Sequence, residues 1–119
     1  MTCEIIDRFN NIAYVMSESV LIKDSDTALD LMATVKYETK CEKFILDKSS
    51  VSDDFFKLST GIAGEVLQKY VNYHIKLAIV GDYTKYTSKP LKDFIVESNR
   101  GKSFFFVETL EEALKKLSQ

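Results

Sequence analysis

A chain of 119 residues, 45% apolar and 29% charged, has the size and make-up of one globular domain with its own core. Its formal net charge of −2 offers no basic excess for nucleic acid and no acidic tail, and Arg8 and Arg100 are the only arginines among sixteen cations, so bidentate phosphate sites are few. No run reaches the ~18 apolar residues of a membrane helix, and MTCEIIDRFN lacks the basic start and apolar stretch of a signal peptide, so a cytoplasmic protein with reduced Cys3 and Cys41 is expected.

Residues 3–7 and 11–16 read as two short strands joined by a turn at residues 8–11, where Asn10 and Asn11 tolerate left-handed backbone. Residues 20–22 suggest a further short strand. A helix starts near Ser25, whose hydroxyl can cap it. Asp26 favours its dipole, Ala28, Leu29, Met32 and Val35 follow at helical spacing, and it ends before Lys40. Residues 43–47 form the next strand. A second helix begins between Asp53 and Gly61, with Ile62, Val66 and Tyr70 beside Ala63, Leu67 and Val71 as its apolar stripe. Residues 76–81 form a strand. Ser88 or Lys89 caps a third helix with Pro90 in its first turn. Leu91, Phe94 and Ile95 face inward, and Gly101 ends it at the C′ position. Residues 103–107, SFFFV, form a strand covered on both faces. Thr109 and Glu112 make a capping box for a final helix with Leu110, Ala113, Leu114 and Leu117 inward. The order is ββαβαβαβα: a single-domain α/β fold over residues 1–119 with about four helices and a mixed sheet of about four or five strands. Ile45, Ile79 and Phe105 are its central-strand core.

The stretch from Phe44 to Tyr83 locates a working edge. Parallel strands need a crossover, nearly always right-handed. Asp47, residues 49–57 and residues 81–84 then lie beyond the carboxyl ends of two neighbouring strands, where open α/β sheets bind ligands. Asp47 and Asp82 are there either to fix turns or to hold a hard cation such as Mg²⁺. Ser59 and Thr60, at a helix start, are candidate phosphate acceptors or plain caps. Gly61 and Gly64 permit close approach of a ligand or tight packing of helix on sheet. Glu65 is part of a polar site or compensates the helix dipole.

On the opposite rim, Glu97, Ser98, Asn99, Arg100 and Gly101 close the third helix and either compensate its carboxyl end or bind an anion or a partner. Tyr70, Tyr73, Tyr83 and Tyr86 gather around the second helix end and the Gly81 loop, which makes self-association plausible through Tyr83 and Tyr86. The alternative is that both rings fold back over their own sheet. His74 follows Tyr73 as an exposed or capping residue. With one histidine and two distant cysteines there is no metal-ligand spacing, and no GxxxxGK[ST] or GxGxxG loop, so neither metal nor cofactor is expected.

The run DDFFKLSTGIAGEVLQKYVNYHIKLAIVGD followed by LKDFIVESNRG resembles the bacterial family catalogued as domain of unknown function 4180, from about Ile12 to Leu117. More distantly the chain is similar to STAS-like domains, which include anti-sigma factor antagonists. They share a strand, a loop and a Ser/Thr–Gly step into a helix, here Ser59, Thr60 and Gly61. The resemblance implies a STAS-like fold and a phosphate acceptor at that step. Leu58 stands where the pattern has an acidic residue.

No nucleophile–base pair is visible, so the expected function is a non-enzymatic regulatory or protein–protein interaction module. Its partner is a protein, with a homodimer as one form, and neither nucleic acid nor membrane. The alternative is a small-molecule or nucleotide-binding protein, an enzyme included, using the edge at Asp47 and Asp82.

Overall fold

A computed structural model describing residues 1–119 has a five-stranded sheet and four α-helices in the order expected. The strands are β1 (Thr2–Asp7), β2 (Ile12–Met16), β3 (Lys43–Asp47), β4 (Lys76–Val80) and β5 (Phe104–Val107). The helices are α1 (Ser25–Thr39), α2 (Ile62–Asn72), α3 (Lys89–Arg100) and α4 (Leu110–Leu117). β1 and β2 form an antiparallel hairpin, and β2 to β5 run parallel.

Strand order follows chain order, β1-β2-β3-β4-β5. With crossovers of one hand and strands added in one direction, every crossover helix lands on the same face. The packing follows that rule. Residues of α1, α2 and α3 (Leu31, Val35, Val66, Tyr70, Leu91) share one cluster with Val15, Phe44, Leu46, Leu77, Ile79, Phe104 and Phe106. Ile12, Ile45, Ala78, Phe105 and Val107 point to the other face, where Ala113 and Leu117 of α4 cover them. Ile45, Ile79 and Phe105 are buried as expected, but Ile79 lies under the crossover helices and the other two under α4. Because the strand order never reverses, there is no switch-point crevice of the doubly wound kind. Any site at the carboxyl rim must be built by loops.

Local departures have identifiable causes. Residues 20–22 form no strand: Ile22 makes one isolated bridge to Val51, and the amides of Leu21 and Ile22 both donate to the Ser50 carbonyl. Asp24, rather than Ser25, caps α1, in a reciprocal box with Thr27. α2 starts at Ile62, past the expected window, because residues 48–60 are taken up by three short 3₁₀ turns. Gly101 has φ −84°, so the end of α3 makes no use of left-handed backbone. Leu110 is 39% exposed rather than inward. Tyr70 is buried with its hydroxyl donating to the Ala28 carbonyl at 2.7 Å, and Tyr73 is exposed. Both belong to the carboxyl end of α2, so they do not gather with Tyr83 and Tyr86. No helix is long and apolar enough to cross a membrane.

Candidate functional site at the carboxyl rim

Two loops make the rim: residues 48–61 after β3 and residues 81–88 after β4. The first is three consecutive 3₁₀ turns, Lys48–Ser50, Asp53–Phe56 and Leu58–Thr60. Such turns persist where side chains fix them. Ser52 accepts from the Asp54 amide, and Phe55 and Phe56 are buried beneath. The Thr60 hydroxyl donates to the carbonyls of Lys57 (2.8 Å) and Asp54 (3.0 Å) and accepts from the Ile62 amide (3.2 Å). Gly61 then takes φ +77° to turn the chain into α2, a region that side chains with a Cβ rarely enter.

The second loop is set by Asp82 and two tyrosines. The Asp82 carboxylate accepts from the Thr84 hydroxyl at 2.7 Å and the Thr84 amide at 2.9 Å, and these bonds lower its pKa. This is a turn-fixing aspartate. The Tyr83 hydroxyl donates back to the Ile79 carbonyl at 2.7 Å, and its ring packs edge-on against Phe106 at 5.7 Å. Tyr86 stacks on Phe56 at 5.2 Å with planes 19° apart. Burial raises the pKa of both tyrosines, and the Tyr86 hydroxyl oxygen is enclosed without a hydrogen-bond partner.

The loops meet where Lys48 crosses Gly81. These residues each follow the last residue of their strand, and those last residues, Asp47 and Val80, are register partners. A Cβ placed on Gly81 would lie 2.5 Å from the Cβ of Lys48. The missing side chain lets the lysine stem lie flat and carries its ammonium over the rings of Tyr86 (4.9 Å) and Phe56 (5.4 Å).

Above this floor runs a continuous groove of two depressions, about 830 and 680 Å³, which share Asp53, Lys57 and Lys85. The first is lined by Lys48, Lys57 and Lys85 against Asp53, Asp54 and Asp82. The second adds Ser59, Tyr86 and Ser88. Charges of both signs balance, and only Lys57–Asp54 is a direct ion pair, at 3.4 Å between exposed groups.

The structure brings some of the expected residues together and separates others. Asp82 and Ser59 line the groove, and Ser59 is exposed with its hydroxyl unbonded. The Thr60 hydroxyl is committed to the carbonyls of Asp54 and Lys57 and the Ile62 amide, while Gly61 is the N-cap of α2 and α2 has no side-chain cap. Asp47 is on the other face: it accepts from the Tyr14 hydroxyl at 2.8 Å, and burial together with that bond raises Tyr14 to about 12. Asp47 and Asp82 therefore do not form one cation site. Glu65 is exposed in the first turn of α2. Gly64 is exposed, and a Cβ there would meet no protein atom within 4 Å, so tight packing of α2 on the sheet does not explain it. Tyr83 and Tyr86 are folded into their own aromatic cluster with Phe56 and Phe106, which removes the reason for an interface built on them. Asn99 and Arg100 are on the opposite rim. Asn99 bonds the backbone of Phe106, and Arg100 pairs with Glu97 at 3.1 Å. His74, exposed at φ +60° between α2 and β4, belongs to that rim also.

Sequence reading placed Lys57 at this rim, within residues 49–57, without giving it a role, and it missed Lys48 and Lys85. The signal for Lys48 was available: a lysine and a glycine, each one step past the end of neighbouring parallel strands. Lys57 and Lys85 carry no such mark, being ordinary loop lysines until the fold brings the two loops together.

The family model described as Domain of unknown function (DUF4180) matches residues 8–117, and the chain belongs to this family. No curated protein and no solved structure matches it.

Proposed function

We propose that this domain is a non-enzymatic regulatory module that works by protein–protein contact at the carboxyl rim of its sheet. The observation that carries this reading is the lining of the groove. It is open and charge-balanced, lined by three lysines and three aspartates. Mixed charge of this kind sets register and orientation against a partner surface. The groove contains no cysteine and no histidine, and the hydroxyls of Ser52 and Ser88 accept from backbone amides rather than donating to a carboxylate or lysine. Small-molecule sites, in contrast, are mostly apolar with a few convergent polar groups.

A STAS-like relation fits the same reading, supported by the β3–loop–Ser59–Thr60–Gly61–α2 step. In it Ser59 is the phosphate acceptor, since its hydroxyl is free and Thr60's is not. A phosphate there would add about −2 charge to a depression that Lys57 and Lys85 also line. That would shift the local balance and change which partner surface fits.

A photo-crosslinking residue placed in cells at Ser59 or Lys85, with Lys102 on the opposite rim as control, tests the proposal. The expected result is a discrete protein adduct from the two groove positions and none from the control. Absence of any groove adduct, with a small molecule retained by the protein in native mass spectrometry, would overturn it.

A further inference from the structure

The amino-terminal rim carries a second cavity, of about 410 Å³, whose charged side chains are all of one sign. Lys76, Arg100, Lys102 and Lys116 line it together with Phe105 and Gln119, and no carboxylate side chain does. Each cation is delivered by a different piece of the fold: Lys76 by the first position of β4, Arg100 by the last turn of α3, Lys102 by the loop into β5 and Lys116 by the last turn of α4. Lys116 lies with its ammonium 5.9 Å from the centre of the Phe105 ring.

Compensation of helix ends accounts for part of this arrangement. Arg100 and Lys116 are where cations favour a helix carboxyl end. Lys76 is on a strand, half-buried, and its register neighbour on β3 is Lys43. Strand alternation puts both on the face shared by Ile45 and Ala78, so two like charges stand side by side on adjacent strands, a pairing that destabilises a sheet. Asp7 interacts with Lys43, whereas Lys76, Lys102 and Lys116 have no ion-pair partner, and Arg100 has only Glu97. This gathering of four cations, three of them without an ion-pair partner, occurs in a chain of net charge −2, so it is not the by-product of a basic composition.

We infer that this cavity binds a compact oligophosphate anion. Lysine ammoniums are point charges that meet phosphate oxygens without the planar match a carboxylate makes with arginine. Four cations around one cavity call for several negative charges in a small volume. Three lysines without ion-pair partners carry more charge than a single phosphate neutralises, and Phe105 is the one hydrophobic residue in the lining.

Calorimetric titration of the full chain with tripolyphosphate at low ionic strength is the test. Binding of one equivalent is expected, weakening as salt rises. Lys76→Gln with Lys116→Gln should lower the affinity at least tenfold, and Lys102→Glu, at an exposed position, should weaken it with the melting temperature unchanged. Lys57→Gln with Lys85→Gln, on the opposite rim, should leave it as it was. ATP bound as tightly as tripolyphosphate would mean that the phosphates are all the site reads, and tighter binding would make the ligand a nucleotide. Citrate is expected to bind more weakly. No binding at millimolar tripolyphosphate, equal losses in both lysine pairs, citrate as good as tripolyphosphate, or tighter binding of a single-stranded oligonucleotide would each overturn the assignment.

Discussion

Asn99 takes the place of a neighbouring strand for Phe106. Its side-chain amide donates to the Phe106 carbonyl at 3.1 Å, and its side-chain oxygen accepts from the Phe106 amide at 2.7 Å. β5 is the last strand of the sheet, and an open edge presents unpaired backbone groups to other chains. One side chain from α3 satisfies both groups of a buried residue.

Replacing it should therefore cost more than an ordinary surface change. Asn99→Leu keeps the bulk but leaves two backbone groups unmet, at about 1–3 kcal/mol. Urea denaturation should show a lower midpoint, and light scattering should show more self-association as the edge opens. A variant with wild-type stability and unchanged scattering would mean that the edge needs no such cover.

Two glycines should respond to alanine with opposite sign. Gly81→Ala puts a Cβ 2.5 Å from the Lys48 Cβ, so the lysine stem must move off the Tyr86 and Phe56 rings. A cost of about 1–3 kcal/mol follows from overpacking. Gly64→Ala meets no atom within 4 Å and removes a glycine from the first turn of α2, which stabilises by up to about 1 kcal/mol. Thermal melts of the two variants should bracket the wild type, and shifts in the same direction would contradict the packing of Lys48 on Gly81.

Tyr83→Ala should act on folding. Its ring lies among Phe56, Tyr86 and Phe106, and its hydroxyl holds the Ile79 carbonyl at 2.7 Å. Truncating a packed aromatic costs about 3–5 kcal/mol, whereas Tyr83→Phe loses one hydrogen bond, about 1 kcal/mol. Circular dichroism melts should rank wild type, Tyr83→Phe and Tyr83→Ala in that order. A Tyr83→Ala protein with wild-type stability that sediments differently would return the ring to an interface.

The strands and helices were legible because their apolar runs keep period and are closed by Asp47, Gly81, Ser88 and Gly101. That the loops after β3 and β4 share a rim was legible for the same reason, since β–loop–α connections fix which loops lie together. What each loop residue does there was not. Tyr83 and Tyr86 are partly buried against Phe56 and Phe106, which are distant in sequence, so nothing local distinguishes them from interface tyrosines. Asp47 could have been assigned: it shares strand parity with Ile45, whose face is that of α4. Gly64 lies off the stripe of Ala63, Val66 and Tyr70, and its exposure follows from that spacing. Asn99 had no local mark, because its partner is defined only once α3 packs beside β5.

The contact between Tyr14 and Asp47 gives an alkaline signature. Burial and the hydrogen bond to Asp47 raise Tyr14 to about 12, against about 10 in an unfolded chain. A group raised in the folded state stabilises fully below its unfolded value and loses that contribution as pH climbs through its folded one. Tyr14 should thus help at pH 9 and lose its effect between pH ~10 and ~12. Tyr14→Phe should be less stable than wild type by about 1 kcal/mol near neutrality, the worth of the lost bond. Tyr70 and Tyr83 are also raised by burial and remain in both proteins, so both curves fall in strong base. Comparing the two isolates Tyr14: the gap in melting temperature should hold up to about pH 10 and narrow from there to about pH 12. Curves that stay parallel across that window would show that the tyrosine does not hold its proton through Asp47.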